Sequence, residues 1–302
     1  MRAGTSVAIK RGAFLAGLCV ALAAARPGLG ADASPTTVRP VIVQAPPKSE
    51  RRQKSVDVFV GAVAKPVNQE GLVRWAEPIC PIEAGLVREQ GAYLIQRLGQ
   101  IALAAGARVA SKGCQPNFFI IATVEPEKLA REWEHRNPDA FKGRPAAIER
   151  FQKTDRPVRV WYNWTFEGAT ETGETSSAGL PGALAQAPAI TFTEDSRLTF
   201  NAPRSLDSVI VVVDGRQLSG VKTAALADYV AMAGLTWLDL DADLTSAPTI
   251  LNLFRPPGAG GQRPTGLSAW DSDFLHALYH TTQADVRQKS QIEARMMKQG
   301  GR

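Results

Sequence analysis

Histidine and cysteine, the residues that most often hold transition metals in proteins, are scarce in this 302-residue chain, which contains three of each. His135 stands alone, whereas His276 and His280 are spaced i, i+4, so that both could lie on one face of a helix. No third strong ligand stands near them, and such pairs more often cap a helix end. The histidines therefore give little support for a metal site, and no cofactor is predicted.

Long apolar runs are also lacking, because after the N-terminal region no segment approaches the ~20 apolar residues that a membrane-spanning helix needs. The N-terminal region itself carries Arg2, Lys10 and Arg11, then the short apolar run GAFLAGLCVALAAA, then the small-residue stretch GLGADAS. This order is typical of a secretory signal peptide, which we place at residues 1–33. The protein is therefore expected to be exported from a bacterial cell, to the periplasm or beyond, with no transmembrane segment after signal removal.

The excess of positive charge is small once the signal peptide is set aside. Its removal takes away four basic groups and one acidic group, so the formal net charge falls from +6 to +3. The basic cluster KSERRQK is interrupted by Glu50 and follows two prolines. This composition is typical of a solvated segment, and we predict little order over residues 34–55. Nothing in the charge pattern indicates nucleic-acid binding.

Two cysteines remain after the signal peptide, Cys80 and Cys114. In an exported chain, an even pair of cysteines favours a disulfide over reactive thiols. The chain-entropy treatment of cross-links gives about 3–4 kcal/mol of stabilisation for a loop of about 35 residues. Cys114 precedes the apolar segment NFFIIATV, so the bond is expected to pin that strand near its start. Two buried free thiols are the alternative.

The order of apolar patterns predicts an α+β domain over residues 56–282. NFFIIATV and LDSVIVVVD are apolar enough for buried strands, VRVWYNWTF alternates like a strand with one buried face, and VDVFVGAV also alternates. Apolar residues at helical spacing follow Leu86 and Leu226, and Ser268 with Asp271 forms a near capping box before a third helix. Strands and helices mix without strict alternation, so we expect a single mixed sheet with packed helices.

Two polar stretches complete the predicted organisation. The segment from about 168 to 188 is rich in Gly, Ser, Thr, Ala and Pro, which predicts a flexible loop within the domain. Residues 283–302 are polar, which predicts a weakly packed C-terminal helix or tail.

Trp161 and Trp164 lie three residues apart on the predicted strand VRVWYNWTF. An odd separation places two side chains on opposite faces of a strand. One tryptophan is therefore expected in the core and the other at a contact surface, which is a weak indication of binding.

Two segments, LADYVAMAGL at 226–235 and LSAWDSDFLHALYH at 267–280, resemble parts of a known family. Their layout resembles the zinc helix and the closing helix of metzincin-like proteins. Together with the signal peptide and the cysteine pair, the chain resembles a group of exported proteobacterial proteins that is distantly similar to metzincin-like proteins but lacks the HExxH zinc ligands. The resemblance covers roughly residues 206–281 and implies a loosely metzincin-like C-terminal half.

In that family the zinc helix carries His at i and i+4, a Glu after the first His, a turning glycine and a third ligand beyond it. The resemblance assigns these positions, in the same order, to Ala227 and Ala231, Asp228, Gly234 and Trp237. A methyl group donates no electron pair, and Asp228 has no metal-bound water to activate. The resemblance therefore implies a degenerate site. We expect a non-catalytic binding or scaffold domain of the bacterial envelope, with an envelope protein or a peptide as partner. An ordinary core helix with a coincidental glycine is the alternative.

Two other patterns leave different functions open. Ser219 and Lys222 match the S-x-x-K motif of penicillin-binding proteins ahead of a helix, where the lysine could activate the serine for a serine hydrolase. Its partner motifs are missing, because no S-D-N occurs and KTA stands where K-T-G would be needed. Asp239, Asp241 and Asp243 have the spacing that opens a calcium loop, although Leu and Ile replace the Gly and Glu that an EF-hand requires. A serine hydrolase and a calcium-stabilised structural module are thus the alternatives to a binding domain.

Overall fold

The structure is a computed structural model that describes residues 48–64, 72–142, 145–166, 204–256, 262–282 and 287–299. The predicted signal peptide and the loop predicted at 168–188 lie outside the described residues. The helices are α1 (Lys48–Val63), α2 (Arg88–Ala105), α3 (Pro126–Arg136), α4 (Pro145–Lys153), α5 (Thr223–Gly234), α6 (Ala269–Tyr279) and α7 (Gln288–Gln299). The strands are β1 (Arg74–Trp75), β2 (Pro81–Ala84), β3 (Phe118–Thr123), β4 (Val158–Phe166) and β5 (Arg204–Asp214). Short 3-10 turns occupy Pro138–Ala140, Gly215–Gln217 and Ile250–Asn252.

The strands form one mainly parallel mixed sheet in which β5 is central. β3 pairs with β5 in parallel, with Phe118 opposite Val209, and β2 pairs in parallel with the far side of β3. β1 runs parallel to the first residues of β5, whereas β4 pairs with β5 in the antiparallel direction. A central strand of such a sheet is buried on both faces, which is why β5 contains the unbroken apolar run VIVVV. Together with the helices, this sheet confirms the predicted α+β class.

Side chains alternate between two apolar cores on opposite faces of the sheet. In β3, Phe118 and Ile120 join the larger core, whereas Phe119 and Ile121 join the smaller one. Residues of α1, α2, α5, α6 and α7 complete the larger core, and residues of α3 and α4 complete the smaller core. Helix α5 of the larger core carries four positions of the zinc-helix layout, Ala227, Asp228, Ala231 and Gly234.

The two tryptophans of β4 follow the same alternation, as their odd separation predicted. Trp161 is buried in the smaller core, where its ring lies 5.5 Å from that of Phe141. Trp164 is partly buried and packs against the larger core. The register of β4 against β5 shifts beside Trp164, but β4 itself keeps its alternation.

The segment VDVFVGAV forms the second half of α1, and the prediction of a strand there was wrong. Its buried residues follow helical spacing on one face: Val56, Phe59, Val60 and Val63. The Phe59 ring meets the rings of Trp270 and Phe274 of α6 edge to face, at 5.8 and 5.7 Å. A short V-D-V-F-V run fits both the strand period and the helix period. The segment is a helix because that conformation buries its apolar residues against α6 and α7. The helix begins at Lys48, inside the segment that was predicted to have little order.

The C-terminal helix α7 packs more closely than its polar sequence indicates. Ile292 and Met296 are fully buried in the larger core. The Gln288 side chain is also buried, and its Oε1 accepts a hydrogen bond from the backbone N–H of Leu72 at 2.7 Å. Along the part of the chain that the structure describes, no helix is long and apolar enough to cross a membrane.

The predicted disulfide between Cys80 and Cys114 is present, with the two Cα atoms 6.0 Å apart. Cys80 directly precedes β2 and Cys114 lies shortly before β3, so the bond joins the starts of two paired strands. Asn117 supports the same junction, because its Oδ1 accepts from the backbone N–H of Cys80 at 2.7 Å. The starts of β2 and β3 are therefore joined by a covalent bond and by the partly buried amide of Asn117.

Candidate functional site

Helix α5, which carries the zinc-helix layout, is buried on all sides. The predicted inward residue Leu226 is buried, but Ala227 and Ala231 on other faces are also 0% exposed. α5 packs against α2, β4, β5 and the Ile250–Asn252 turn. Small side chains are needed at such positions because the neighbouring elements approach closely. The two ligand positions therefore hold methyl groups inside the core and do not line a cleft.

Asp228, in the base position, is engaged by two distant segments. Its carboxylate accepts hydrogen bonds from Arg97 of α2 at 2.6 and 3.2 Å and from the backbone N–H of Leu267 at 2.6 Å. The hydrogen bond to Asp228 raises the pKa of the Arg97 guanidinium. Asp228 is only 3% exposed, so its charge is balanced within the protein. This carboxylate ties α2 and the segment before α6 to α5.

Gly234 does not act as a turning glycine. It is the last residue of α5, and Leu235 after it keeps a right-handed helical backbone with φ −78° and ψ −14°. A Cβ at Gly234 would lie 2.5 Å from Cε2 of Phe118 and closer still to Cζ. The glycine is required because the end of the helix lies against the ring of a core phenylalanine.

Trp237, in the third ligand position, belongs to an aromatic stack. Its ring lies 5.9 Å from that of Tyr162 and 6.5 Å from that of Trp164, with interplanar angles of 24° and 27°. The guanidinium of Arg204 lies 4.4 Å from the Trp164 ring. Burial raises the pKa of the Tyr162 phenol, whose hydroxyl donates to the carbonyl of Ala233 at 2.6 Å. These aromatic rings fasten β4 to the end of α5.

Ser219 and Lys222 are both exposed on the turn before α5. The helix begins at Thr223, so both residues lie on the connection ahead of it, as the sequence predicted. Lys222 is exposed and lacks the burial that a catalytic lysine uses.

The three acids of the DLDAD segment are engaged within the protein, two of them in turns. Asp239 accepts from the backbone N–H of Asp241 at 3.0 Å, and Asp243 accepts from the backbone N–H of Thr245 at 3.0 Å. Asp241 also pairs with Arg156. Within the described ranges, no group of three His, Cys, Asp or Glu side chains could hold a metal ion.

The histidine pair near the end of α6 is also engaged within the protein. The rings of His276 and His280 stack at 3.9 Å, and His280 Nδ1 lies 2.8 Å from the His276 carbonyl oxygen. The Gln299 amide of α7 contacts His276 Nδ1 at 2.7 Å. Burial lowers the pKa of His276. The pair therefore closes the end of α6 against α7.

Two adjoining surface cavities form a feature that the sequence did not indicate, and we call them the groove. The first, of about 470 Å³, lies between α1 and the connection 243–256. The second, of about 740 Å³, lies between that connection and the segment 262–268. Both cavities share one stretch of wall, formed by Ser246, Ala247 and Pro248. Each has the volume of a typical ligand pocket, about 300–1,000 Å³.

A buried carboxylate holds both walls of the second cavity. Asp271 is 0% exposed, and its Oδ2 accepts from the backbone N–H groups of Ile250 and Ser268, both at 2.9 Å. Its Oδ1 accepts from the Thr249 hydroxyl, and Ser268 completes the predicted capping box. Burial raises the pKa of Asp271. Asp228 and Asp271 thus fix the segment before α6 at neighbouring points, Leu267 and Ser268.

The lining of the groove combines positive charge, hydroxyl groups and apolar rings. Arg51 and Lys54 of α1 line the first cavity together with Asp243, and Arg255 and Arg263 line the second. Neither histidine nor cysteine occurs among the described residues that line it. The lining therefore offers cationic, hydroxyl and apolar groups to a bound molecule. The helical spacing from Val56 to Val63 was the one sequence signal that could have placed Arg51 and Lys54 on a helix.

Comparison of the chain with protein-family models, with curated proteins and with solved structures gave no match.

Proposed function

We propose that the protein is an exported, non-catalytic binding domain of the bacterial envelope that holds its partner in the groove. The observation that carries the proposal is the groove itself, whose walls are held by the buried carboxylates Asp228 and Asp271. A site whose walls are fixed before binding loses less conformational entropy when a partner is ordered in it. The disulfide between Cys80 and Cys114 supports export, because such bonds persist in oxidising compartments.

The metzincin-like layout enters this proposal as a degenerate one. Ala227 and Ala231 offer no electron pair and lie in the core, and the carboxylate of Asp228 is taken up by hydrogen bonds from Arg97 and Leu267. A base for metal-assisted hydrolysis needs a carboxylate free to reach a metal-bound water. What α5 retains from the layout is its position as a central helix against which its neighbours pack. Binding takes place in the groove, away from α5.

The absence of catalysis is tested on protein purified from the periplasm without added metal. We expect the intact mass to equal that of the chain without its signal peptide. Elemental analysis should find no stoichiometric zinc, and a fluorogenic peptide library should not be cleaved. A fluorescent probe that acylates nucleophilic serines should label the wild type and the Ser219→Ala variant equally. Bound zinc together with peptide cleavage, or labelling that depends on Ser219, would overturn the non-catalytic assignment.

The binding side is tested by placing a photo-crosslinking amino acid at Ser246, on the shared wall of the groove, in cells that export the protein. The matched control places it at Ser111, an exposed serine in the loop after α2. We expect adducts with an envelope component from position 246 and none from position 111. The same adducts from both positions would show that the groove is not the binding surface.

A further inference from the structure

Both cavities of the groove are lined by positive charge. Arg51 and Lys54 of α1 line the first cavity, whereas Arg255 and Arg263 line the second. The acidic lining residue, Asp243, lies 4.0 Å from Arg255. Positive charge along a concave surface raises the local concentration of negatively charged ligands.

Three of these cations do not stabilise the described part of the fold through ion pairs. Arg51, Lys54 and Arg263 form no ion pair with any other residue in the described part of the chain, and all three are exposed. Their neighbour Arg52 differs, because it lies 5.2 Å from the Trp270 ring and 3.9 Å from Asp273, where it joins α1 to α6. The same helix thus has one arginine that stabilises packing and two cations that face the groove.

The first cavity also contains apolar surface that a purely polar ligand would leave uncovered. Val58 is 54% exposed there, beside Phe59 and Trp270. Apolar groups of a ligand would cover this surface and gain about 25 cal/mol per Å² removed from water. The hydroxyls of Ser246 and Thr265 and the amide of Gln262 lie further along the groove and suit backbone hydrogen bonding.

We infer that the groove takes an extended acidic peptide, with apolar side chains in the cavity beside α1 and carboxylates facing Arg51, Lys54 and Arg263. The inference rests on the proposed function and adds the chemical class of the partner. A peptide combines the three required elements, which are negative charge, apolar side chains and a backbone that forms hydrogen bonds. A polyanionic sugar lacks the apolar side chains, and a flat lipid surface does not enter a groove.

The probes are three synthetic peptides of equal length in which leucine and valine alternate with glutamate, glutamine or lysine. Dissociation constants are measured by fluorescence anisotropy on the mature protein at low and high salt. We expect the glutamate peptide to bind about 10-fold more tightly than the glutamine peptide, and the lysine peptide to bind most weakly. The advantage of the glutamate peptide should shrink at high salt, because exposed charges are screened.

Charge reversal locates the interaction. Lys54→Glu and Arg263→Glu should each raise the dissociation constant of the glutamate peptide about 3- to 10-fold and lower that of the lysine peptide. The matched control is Lys112→Glu, an exposed lysine in the loop after α2, which should change either constant less than about 2-fold. Circular dichroism and melting temperatures equal to those of the wild type show that each variant is folded.

The outcomes separate this inference from the proposed function. Equal affinity for all three peptides, with crosslinking from Ser246, would overturn the acidic class while leaving a binding groove. Failure of every peptide, with an envelope component still crosslinked from Ser246, would also overturn the inference alone. Crosslinks from Ser246 that form only within the chain, or only to a second copy, would overturn both.

Discussion

Gly234 offers a test of whether glycine is required at the end of α5 by close packing or by a turn. The residue ends α5, and its carbonyl accepts a hydrogen bond from Nε1 of Trp75 at 2.9 Å. The Trp75 ring in turn stacks on that of Phe118, with centroids 6.0 Å apart. A methyl group at Gly234 would therefore enter space already filled by Phe118, which is 0% exposed and has no room to withdraw.

The magnitude of Gly234→Ala follows from two opposing effects. Inserting a methyl group into a filled core costs about 1–3 kcal/mol, and better helix propensity returns at most about 1 kcal/mol. The net result should be a loss of about 1–2 kcal/mol in the free energy of unfolding. Gly99 of α2 is the matched control, because a Cβ there would have its nearest neighbour, Cγ1 of Val109, at 4.0 Å. Gly99→Ala should stabilise the protein by about 0.5–1 kcal/mol.

Urea unfolding followed by circular dichroism measures both variants against the wild type. A third variant, Gly234→Asn, separates the two explanations, because asparagine is tolerated in left-handed turns but is larger than alanine. Packing predicts that the asparagine variant is less stable than the alanine variant. The reasoning would be refuted if Gly234→Ala were as stabilising as Gly99→Ala, or if asparagine were better tolerated than alanine.

Three further predictions concern tethers within the fold. Asp228→Ala should lower the free energy of unfolding by about 2–3 kcal/mol, because a backbone N–H and a guanidinium lose their acceptor, and Asp228→Asn should lose less. Reduction of the disulfide, with its sequence separation of 34, should cost about 3–4 kcal/mol in urea unfolding. The Arg216 guanidinium beside Asp214 lowers the pKa of that carboxyl from 3.8 to about 2. This pair therefore stabilises the fold above pH 3.8, and its contribution is lost as the pH falls towards 2. Because Arg216 is largely exposed, solvent screens this pair and its acid-dependent stabilisation should be small, and Asp214→Asn should abolish it.

Each of these predictions has a result that contradicts it. Asp228→Ala with wild-type stability would mean that the contact between α5 and the segment before α6 carries no energy. Equal urea midpoints with and without reductant would deny the disulfide a stabilising role. Wild type and Asp214→Asn that lose stability in parallel between pH 4 and pH 2 would place the acid sensitivity in other carboxylates.

The elements that the sequence predicted correctly are those defined by near neighbours. The unbroken run VIVVV specified a buried central strand, and Gly106 specified the end of α2, where it adopts a left-handed φ of 100°. Ser268 and Asp271 lie three residues apart and formed the predicted capping box. In each case the residues that decide the local structure lie within one turn of helix or one strand.

The strand predicted for VDVFVGAV was wrong because its period is ambiguous over so few residues. Only the presence of α6 and α7, more than 200 residues further along the chain, makes the helix bury more apolar surface than a strand would. Similarly, the tethering role of Asp228 could not be predicted, since its partners Arg97 and Leu267 are remote in the chain. Long-range partners decided both outcomes.

By itself the sequence determined the fold class, the central strands, the cysteine pair and the absence of electron-pair donors at Ala227 and Ala231. Only tertiary packing placed these alanines in the core and brought the cations of α1 and of the segment before α6 to two adjoining cavities. The physical reason is that propensity and periodicity act between neighbours in the chain. A binding surface, in contrast, is assembled from residues that come together only when the core closes.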